Sequence, residues 1–191
     1  MPIIFFILLI FLQSCGVDAI DTGSQSSKLL SQSSYGLYNP LPSGEIAGYP
    51  EDTGLDILSD HKPAYAVAAG TLVYSEHGHT SWTSGNDTPN SVLMKLDQPI
   101  KLKTGHSVTH IYYTHLSQLA YSQTPISKEQ RKILGGEPLG ITGLGNNVAH
   151  LHIGFLLDNV TAQVDDGTFL TYTDIRSMLG PYKQGDKLPS Y

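Results

Sequence analysis

Two histidines stand at alternate positions of an apolar run, the segment VAHLHIGF at residues 148 to 155. Successive residues of a β-strand point to opposite faces of its sheet, so His150 and His152 share one face while Leu151 takes the other. A lone buried histidine usually does no more than bond to a backbone carbonyl. Two imidazoles on one face favour a metal site or a reacting centre, because imidazole binds metals and exchanges protons near neutral pH.

Three further segments carry residue types that suit the same chemistry. The segment DTGLDI contains Asp52 and Asp56, and YYTHLS contains His115 close to the end of a predicted strand. The glycine-punctuated segment GEPLGITGLGNN, at residues 136 to 147, leads directly into the histidine pair. Carboxylates and imidazoles are ligands that zinc takes in proteins.

The order and approximate spacing of these segments resemble the motifs of lysostaphin-type peptidoglycan zinc metallopeptidases. That family carries H-x-G-x-D, then a strand ending in Y-x-H-L, then spaced glycines that lead into H-L-H. The resemblance extends over about residues 37 to 158. It implies an antiparallel β-sandwich of the duplicated hybrid motif type, and a zinc metalloendopeptidase that hydrolyses peptide bonds of peptidoglycan.

The resemblance assigns roles to five side chains. It implies metal ligands at Asp52, Asp56 and His152. It implies catalytic roles for His115 and His150, which match the pair that flanks the metal-bound water. The chain departs from the family at its first ligand, since Asp52 stands where the family has histidine.

This departure at Asp52 affects the chemistry that we expect. Aspartate binds zinc through oxygen, but a second anionic ligand lowers the net positive charge of the site, so the bound water becomes less acidic. Two carboxylates also favour a harder ion such as manganese. The sequence leaves open a zinc site, a manganese site and a degenerate site without metal.

Two functions remain open on this basis. The four retained positions, Asp56, His115, His150 and His152, favour an active cell-envelope metalloendopeptidase. The loss of a histidine at Asp52 favours a catalytically silent relative, which binds the wall or activates a partner hydrolase. In both cases the expected partners are peptidoglycan peptides.

A replacement for the missing ligand is available in the segment EHGH, where His77 and His79 flank Gly78. The other interpretation of this segment is a solvent-exposed hairpin tip. The two interpretations differ in whether either imidazole reaches the cavity of Asp56.

The elements that position these residues are predicted to be short strands, so the fold class is mainly β and antiparallel. The chain has 191 residues, of which 40% are hydrophobic and only 15% charged, with 19 glycines. Two strands joined by a glycine bend are predicted within 64–76, and further strands at 91–102, 107–116, the glycine-punctuated segment 137–145 and 150–158, with an edge strand at 168–173. Short helices are predicted at 127–134 and 174–181. A net charge of −6 argues against a nucleic-acid partner.

The N-terminus predicts export. Residues 3 to 12 form an apolar run that is too short to cross a bilayer but typical of a signal peptide. The following LQSC resembles the lipobox of bacterial lipoproteins, which implies membrane attachment through a lipidated Cys15. Ordinary cleavage after residues 17 to 19 is the alternative. We expect a signal peptide at 1–15, a flexible tether at 16–43 and the peptidase domain with a C-terminal extension at 44–191, in the cell envelope facing the periplasm or the surface.

Overall fold

The computed structural model describes residues 33–50, 52–80, 84–163 and 166–190. Over these residues the chain is mainly antiparallel β-sheet with one short helix, which confirms the predicted class. The predicted signal peptide with Cys15, and residues 16–32 of the predicted tether, lie outside the described residues. Within them, no helix is both long and apolar enough to cross a membrane.

Among the described residues the sheet has nine strands, all paired antiparallel. In chain order they are β1 (Glu45–Ala47), β2 (Leu55–Leu58), β3 (Pro63–Tyr65), β4 (Gly70–His77), β5 (Asn90–Lys101), β6 (Ser107–Leu119), β7 (Lys132–Ile133), β8 (Pro138–Gly145) and β9 (Val148–Leu157). The hydrogen-bonded order is β1-β2-β9-β8-β6-β5-β4-β7, with β3 beside β8. The helix α1 (Tyr172–Leu179) follows β9.

Strand β6 pairs with β5, β8 and β9. Its first part pairs with β9, from Val108 to Thr114. Its end pairs with β8 from Leu116 to Leu119, with a bulge between Leu116 and Gln118. Because β8 and β9 are also paired with each other, the three strands hold one another in a fixed arrangement.

The alternation of apolar residues and histidines that the sequence predicted is present in β9. Leu151, Ile153 and Phe155 are fully buried in the main hydrophobic core. His150 and His152 therefore lie on the opposite face, as the period of two requires. The apolar face fixes which residues of β9 can face the core, and so it also fixes which residues face the site.

The packed domain begins earlier than the predicted boundary at residue 44. Leu37 and Leu41 are both buried in the core. The backbone N–H of Tyr38 donates to the carbonyl oxygen of Val67 at 2.8 Å. Residues 37–41, which were predicted to be tether, thus pack as part of the domain.

One predicted helix forms and the other does not. The helix α1 begins after Thr171, which makes a capping box with Asp174, and ends before Gly180. The predicted helix at 127–134 is wrong, because Lys132–Ile133 forms β7 and pairs with β4. Ile133 is buried while Leu134 is 71% exposed, which is the alternation of a strand.

The predicted edge strand at 168–173 is reduced to a single bridge between Phe169 and Leu156. The reason lies in the sequence that follows it. The capping box at Thr171 starts the helix, and the extended segment therefore stops before Tyr172.

We predict that Leu37→Ala lowers the free energy of unfolding by about 2–5 kcal/mol, because it removes a buried side chain and leaves a cavity. Leu134→Ala is the matched control, since it removes the same atoms from a position that is 71% exposed. The control should change the free energy by no more than about 0.5 kcal/mol. Urea unfolding measures both, and equal effects would show that the segment at 37–41 is not part of the cooperative domain.

Candidate functional site

The pairing of β2 with β9 places a carboxylate between two imidazoles. Asp56 lies opposite His152 in the strand register, and Leu58 lies opposite His150. Oδ1 of Asp56 is 2.8 Å from Nδ1 of His152 and 3.7 Å from Nε2 of His150. Both histidines are buried. Three of the residues predicted for the site are thus brought together by main-chain hydrogen bonding.

His115 joins this group from the C-terminal half of β6. Its ring centroid is 4.8 Å from that of His150 and 6.3 Å from that of His152. His115 has a φ of 62°, a left-handed conformation that is uncommon for a residue with a side chain. Its ring packs against Gly145, where a Cβ atom would lie 2.6 Å from the imidazole. Any larger residue at position 145 would therefore displace His115.

The five residues predicted for the site line one cavity of about 330 Å³. Its described lining residues are Asp52, Thr53, Asp56, His115, Asn146, His150 and His152. Residues that are up to a hundred positions apart in the sequence thus share one concave surface.

Burial and charge act in opposite directions on Asp56. Burial is the largest effect and by itself raises the pKa of this carboxyl group. The hydrogen bond from His152 and the charges of His152, His150 and His115 outweigh it, so the net pKa is lowered. Asp56 is therefore ionised at neutral pH and acts only as an acceptor.

At His115, unlike Asp56, burial decides the direction of the pKa shift. Burial, followed by the neighbouring His150 and His152, lowers the pKa of His115 to about 4, although Asp56 and Asp87 act to raise it. The imidazole is therefore uncharged at neutral pH. Its Nδ1 atom is buried and has no hydrogen-bond partner among the described residues. The site thus contains an uncharged imidazole beside His150 and His152.

The donor types fit a divalent cation, but the predicted ligand set is only partly assembled. Asp56 and His152 converge at 2.8 Å, and a proton or a cation must lie between them because ionised Asp56 cannot donate. Asp52 lines the same cavity, yet its Oδ2 atom accepts the backbone N–H of Tyr49 at 2.6 Å. Within the described ranges, no three His, Cys, Asp or Glu side chains lie in an arrangement that holds a metal ion.

The replacement ligand considered at residues 76–79 is directed elsewhere. Nε2 of His79 is 2.7 Å from Oε1 of Glu76, and its ring stacks on Tyr74 with centroids 3.9 Å apart. His79 lines a second cavity of about 520 Å³. Neither His79 nor His77 is among the described residues that line the cavity of Asp56.

Sequence reasoning missed three residues that lie in the site or bond to its rim. Oε1 of Gln163 is 3.4 Å from Nε2 of His152, and Asn146 lines the cavity. Asp87 accepts the backbone N–H groups of Asn146 and Asn147. Asn146 and Asn147 both have positive φ, as a tight hairpin turn requires, and the Asn-Asn pair was a readable turn signal. No local pattern marks Gln163 or Asp87.

Asp87 fixes the turn between β8 and β9. Its carboxylate accepts N–H groups from Ser84 at 2.6 Å, Asn146 at 2.8 Å and Asn147 at 3.0 Å. Slight burial raises the pKa of Asp87, but these three backbone donors dominate and lower it to about 2. The turn carries Asn146 at the cavity and leads into the histidine pair, so Asp87 stabilises the rim of the site.

A scan against models of protein families finds no match for this chain, and a search of curated proteins finds none either. Matches occur among solved structures. A protein of Pseudomonas aeruginosa described as an M23 peptidase matches with 19% identity and a TM-score of 0.46, covering 73% of this chain and 55% of that one. The chain therefore spans about half the length of that protein.

Two further solved structures match over most of their length. The catalytic domain of lysostaphin from Staphylococcus simulans has 17% identity and a TM-score of 0.43, with 70% of this chain and 89% of that chain covered. A structure of the complex of SpoIIIAH with SpoIIQ matches with 14% identity and a TM-score of 0.41, covering 77% of this chain and 96% of that one. The solved structures similar to this chain thus include the type of peptidase that the ordered motifs predicted.

We predict that Asp87 contributes to stability in a pH-dependent way. Its pKa is about 2 in the folded protein against an ordinary value of 3.8, so its contribution is complete above pH 4 and is lost as the pH falls towards 2. At pH 7, Asp87→Asn should lower the free energy of unfolding by about 1 kcal/mol, a modest value because the carboxylate is partly exposed.

Urea unfolding at several pH values between 7 and 2.5 measures this effect. The difference between wild type and Asp87→Asn should shrink as the pH falls below 4. Asp166→Asn is the control, because Asp166 is exposed, and it should show little difference at any pH. A difference at position 87 that stays constant with pH would contradict the assignment.

Proposed function

We propose that the protein is a cell-envelope metalloendopeptidase that hydrolyses peptide bonds of peptidoglycan. The observation that carries the proposal is the cluster around Asp56, whose Oδ1 atom faces Nδ1 of His152 at 2.8 Å. His115 and His150 line the same cavity, beside this pair. A carboxylate and three imidazoles in one concave site suit metal-assisted hydrolysis of an amide.

Asp56 and His152 are the residues that would hold the metal. When bound there, a divalent cation supplies a Lewis acid and lowers the pKa of its water to about 7. Zinc is the first candidate because of the imidazole ligand, and manganese is the alternative because of the carboxylates.

His150 is suited to accept a proton. Its Nδ1 atom lies 2.9 Å from the carbonyl oxygen of Val148, and because a carbonyl only accepts, Nδ1 must carry the proton. When the ring carries only this proton, its lone pair is on Nε2, which lies 3.7 Å from Oδ1 of Asp56. This lone pair can take a proton from an attacking water.

His115 complements His150. Its imidazole is uncharged at neutral pH, and its buried Nδ1 has no partner among the described residues. Because His115 lines the cavity, the ring nitrogen that carries its proton can donate to the oxygen on which negative charge develops when an amide is attacked. The two rings lie 4.8 Å apart, so both can reach one scissile bond.

The proposed location is the cell envelope. Support comes from the apolar run at residues 3 to 12 and the LQSC segment that ends at Cys15. A lipidated Cys15 would attach the domain to the membrane, and peptidoglycan peptides would be its substrates.

The second candidate is a catalytically silent protein that binds the wall or activates a partner hydrolase. Two observations favour it. The carboxylate of Asp52 is bonded to the N–H of Tyr49, and in the part of the chain that is described no group of three ligands is formed. A cleft that binds a peptide without a metal would not cleave it.

We predict that the purified protein binds one zinc or manganese ion per chain and that His152→Ala abolishes both metal binding and hydrolysis of isolated peptidoglycan. His115→Ala should keep the metal but reduce turnover about 10²- to 10⁴-fold, because it removes one acid–base or oxyanion group. Metal analysis and mass spectrometry of the released peptides provide the two measurements.

His61→Ala is the control for these variants, since the side chain of His61 is 64% exposed. It should leave both metal content and turnover unchanged. Unaltered turnover in His152→Ala would reject this site. A protein that takes up neither zinc nor manganese would support the silent alternative.

We predict that Asp52→His raises zinc affinity by at least about tenfold, because it adds a third ligand to Asp56 and His152. The comparison variant is Asp52→Asn, which removes the charge without adding an imidazole and should not increase affinity. Zinc titration by calorimetry measures both. An Asp52→His protein with no gain would show that position 52 does not reach the ion.

A further inference from the structure

We infer that Asn146 binds a main-chain peptide group of the substrate through its side-chain amide, on the side of the cavity where His115 lies. The class of ligand, a peptidoglycan peptide, rests on the proposed function. The contact itself does not require hydrolysis, because a cleft that binds the peptide without cleaving it would use the same amide. Asp87 and Thr88 are positioning residues that hold Asn146 in place.

The turn between β8 and β9 brings Asn146 to the wall of the cavity. Strand β8 ends at Gly145 and β9 begins at Val148, so Asn146 and Asn147 form the whole connection. Asn146 is exposed and lines the cavity of Asp56, whereas Asn147 is not among the described lining residues. Of the two asparagines, Asn146 is thus the one placed to contact a ligand there.

The strand that leads to Asn146 lies beside both proposed catalytic rings. Gly145 packs on the imidazole of His115, where a Cβ atom would lie 2.6 Å from the ring. Gly143, two residues earlier, pairs with His150. Consecutive Cα atoms of a peptide are only about 3.8 Å apart. A substrate whose scissile bond lies between the two rings therefore places a neighbouring peptide group beside Asn146.

The side chain of Asn146 has the chemistry of a group that binds a peptide backbone. Its carbonyl oxygen accepts and its NH₂ group donates, which matches the N–H and C=O of a peptide group. No hydrogen bond among the described residues uses this side-chain amide, whereas the backbone N–H of Asn146 is bonded to Asp87. An uncharged amide reads the main chain, so the contact fixes the position of the peptide rather than selecting its side chains.

Asp87 and Thr88 fix the turn through its backbone. Among the described residues, β6 pairs with β8 only as far as Thr142, so Leu144 lies beyond the last pair. Thr88 takes the place of a strand there, since its N–H donates to the carbonyl oxygen of Leu144 at 2.8 Å and its Oγ1 accepts the N–H of Leu144 at 2.9 Å. Asp87 then accepts the N–H of Asn146 at 2.8 Å. These bonds leave the side chain of Asn146 unused.

The local backbone supports this close approach. A Cβ atom at Gly143 would overlap Oγ1 of Thr88, so only a glycine lets the hydroxyl reach the strand. Asn146 has a φ of 51°, a left-handed conformation that asparagine tolerates better than most residues. Because the turn is already ordered in the free protein, peptide binding loses little conformational entropy at this residue.

The matched variants are Asn146→Gly and Asn147→Gly. The two positions have φ values of 51° and 61°, which glycine adopts readily, and both variants keep the backbone N–H that Asp87 accepts. Each removes one side-chain amide from the same turn, so a general effect on the turn would be equal in both. The probe is a synthetic copy of the uncrosslinked stem peptide of peptidoglycan. Its affinity for the metal-free protein is measured by NMR titration, and hydrolysis of isolated peptidoglycan is measured separately with added zinc.

Asn146→Gly should weaken binding of the peptide about 2- to 10-fold, which is the effect of losing one neutral hydrogen bond. Asn147→Gly should bind the peptide as the wild type does. Peptide analogues in which an ester replaces one peptide group at a time locate the contact. At one position the ester should weaken binding to the wild type but not to Asn146→Gly, because the lost N–H is the one that the amide oxygen accepts.

Thr88→Val and Thr88→Ser test the positioning role. Thr88→Val removes the hydroxyl and should weaken peptide binding, whereas Thr88→Ser keeps the hydroxyl and should restore it. In a protein that already carries Asn146→Gly, Thr88→Val should cause no further loss of affinity, since Thr88 acts through Asn146. An equal loss in both backgrounds would overturn the positioning role.

The outcomes for Asn146 are distinct from those for the proposed function. An unchanged affinity in Asn146→Gly, an equal loss in Asn147→Gly, or a wild type that does not bind the peptide would overturn the role of Asn146. A loss confined to Asn146→Gly, in a protein that hydrolyses nothing, would support the contact and reject the metalloendopeptidase. The same loss in a protein that hydrolyses peptidoglycan would support both.

Discussion

The candidate site depends on one strand register. Because β2 and β9 pair with Asp56 opposite His152, the carboxylate and the imidazole meet without any help from a flexible loop. A shift of one residue would bring Leu151 or Ile153 to this position and turn the histidines into the core. Both of these side chains are fully buried, so the hydrophobic core enforces the register on which the chemistry depends.

This arrangement brings together buried titratable groups that shift one another's pKa values. Burial disfavours the charge on Asp56, and the surrounding imidazoles restore it. For His115 the carboxylates of Asp56 and Asp87 do not outweigh burial, so its ring stays uncharged at neutral pH. The ring lies against Gly145, and the backbone of His115 is in a left-handed conformation. Strain of this kind persists where the surrounding structure over-determines it, and such positions cluster at active and ligand sites.

The sequence predicted those parts of the molecule that follow from local patterns. The period of two placed His150 and His152 on the face opposite Leu151, and the strand pattern gave most of the antiparallel sheet. The helix predicted at 127–134 was wrong because Ser127 and Gln130 have the spacing of a capping box, whereas the burial of Ile133 beside β4 favours a strand.

Local sequence patterns could not predict the contacts of Gln163 and Asp87. Gln163 bonds to Thr53, 110 residues away, and Asp87 bonds to Asn147, 60 residues away. These bonds exist only once β9 has taken its place beside β2 and the turn after β8 has formed. Nothing in the nearby sequence distinguishes either side chain from an ordinary polar residue in a loop.

The number of ligands that the site can offer to a metal depends on the contacts that Asp52 makes within its own segment. Its Oδ2 atom accepts the N–H of Tyr49, and its backbone N–H donates to the carbonyl oxygen of Tyr49 at 3.0 Å. Gly48, with a φ of 107°, leaves space for this carboxylate, since a Cβ atom there would lie 3.1 Å from it. Aspartate suits such a turn because its short side chain bonds to nearby backbone.

Residue 52 therefore has two competing partners, the turn and the ion. A histidine side chain at this position is longer and has no carboxylate to close the turn in the same way. The carbonyl oxygen of Asp52 also accepts the N–H of Tyr172 at 3.4 Å, so the turn supports the start of α1. In this chain the residue that differs from the ligand pattern is thus part of the scaffold, and a cation at Asp56 and His152 must compete with the backbone N–H of Tyr49 for the carboxylate of Asp52.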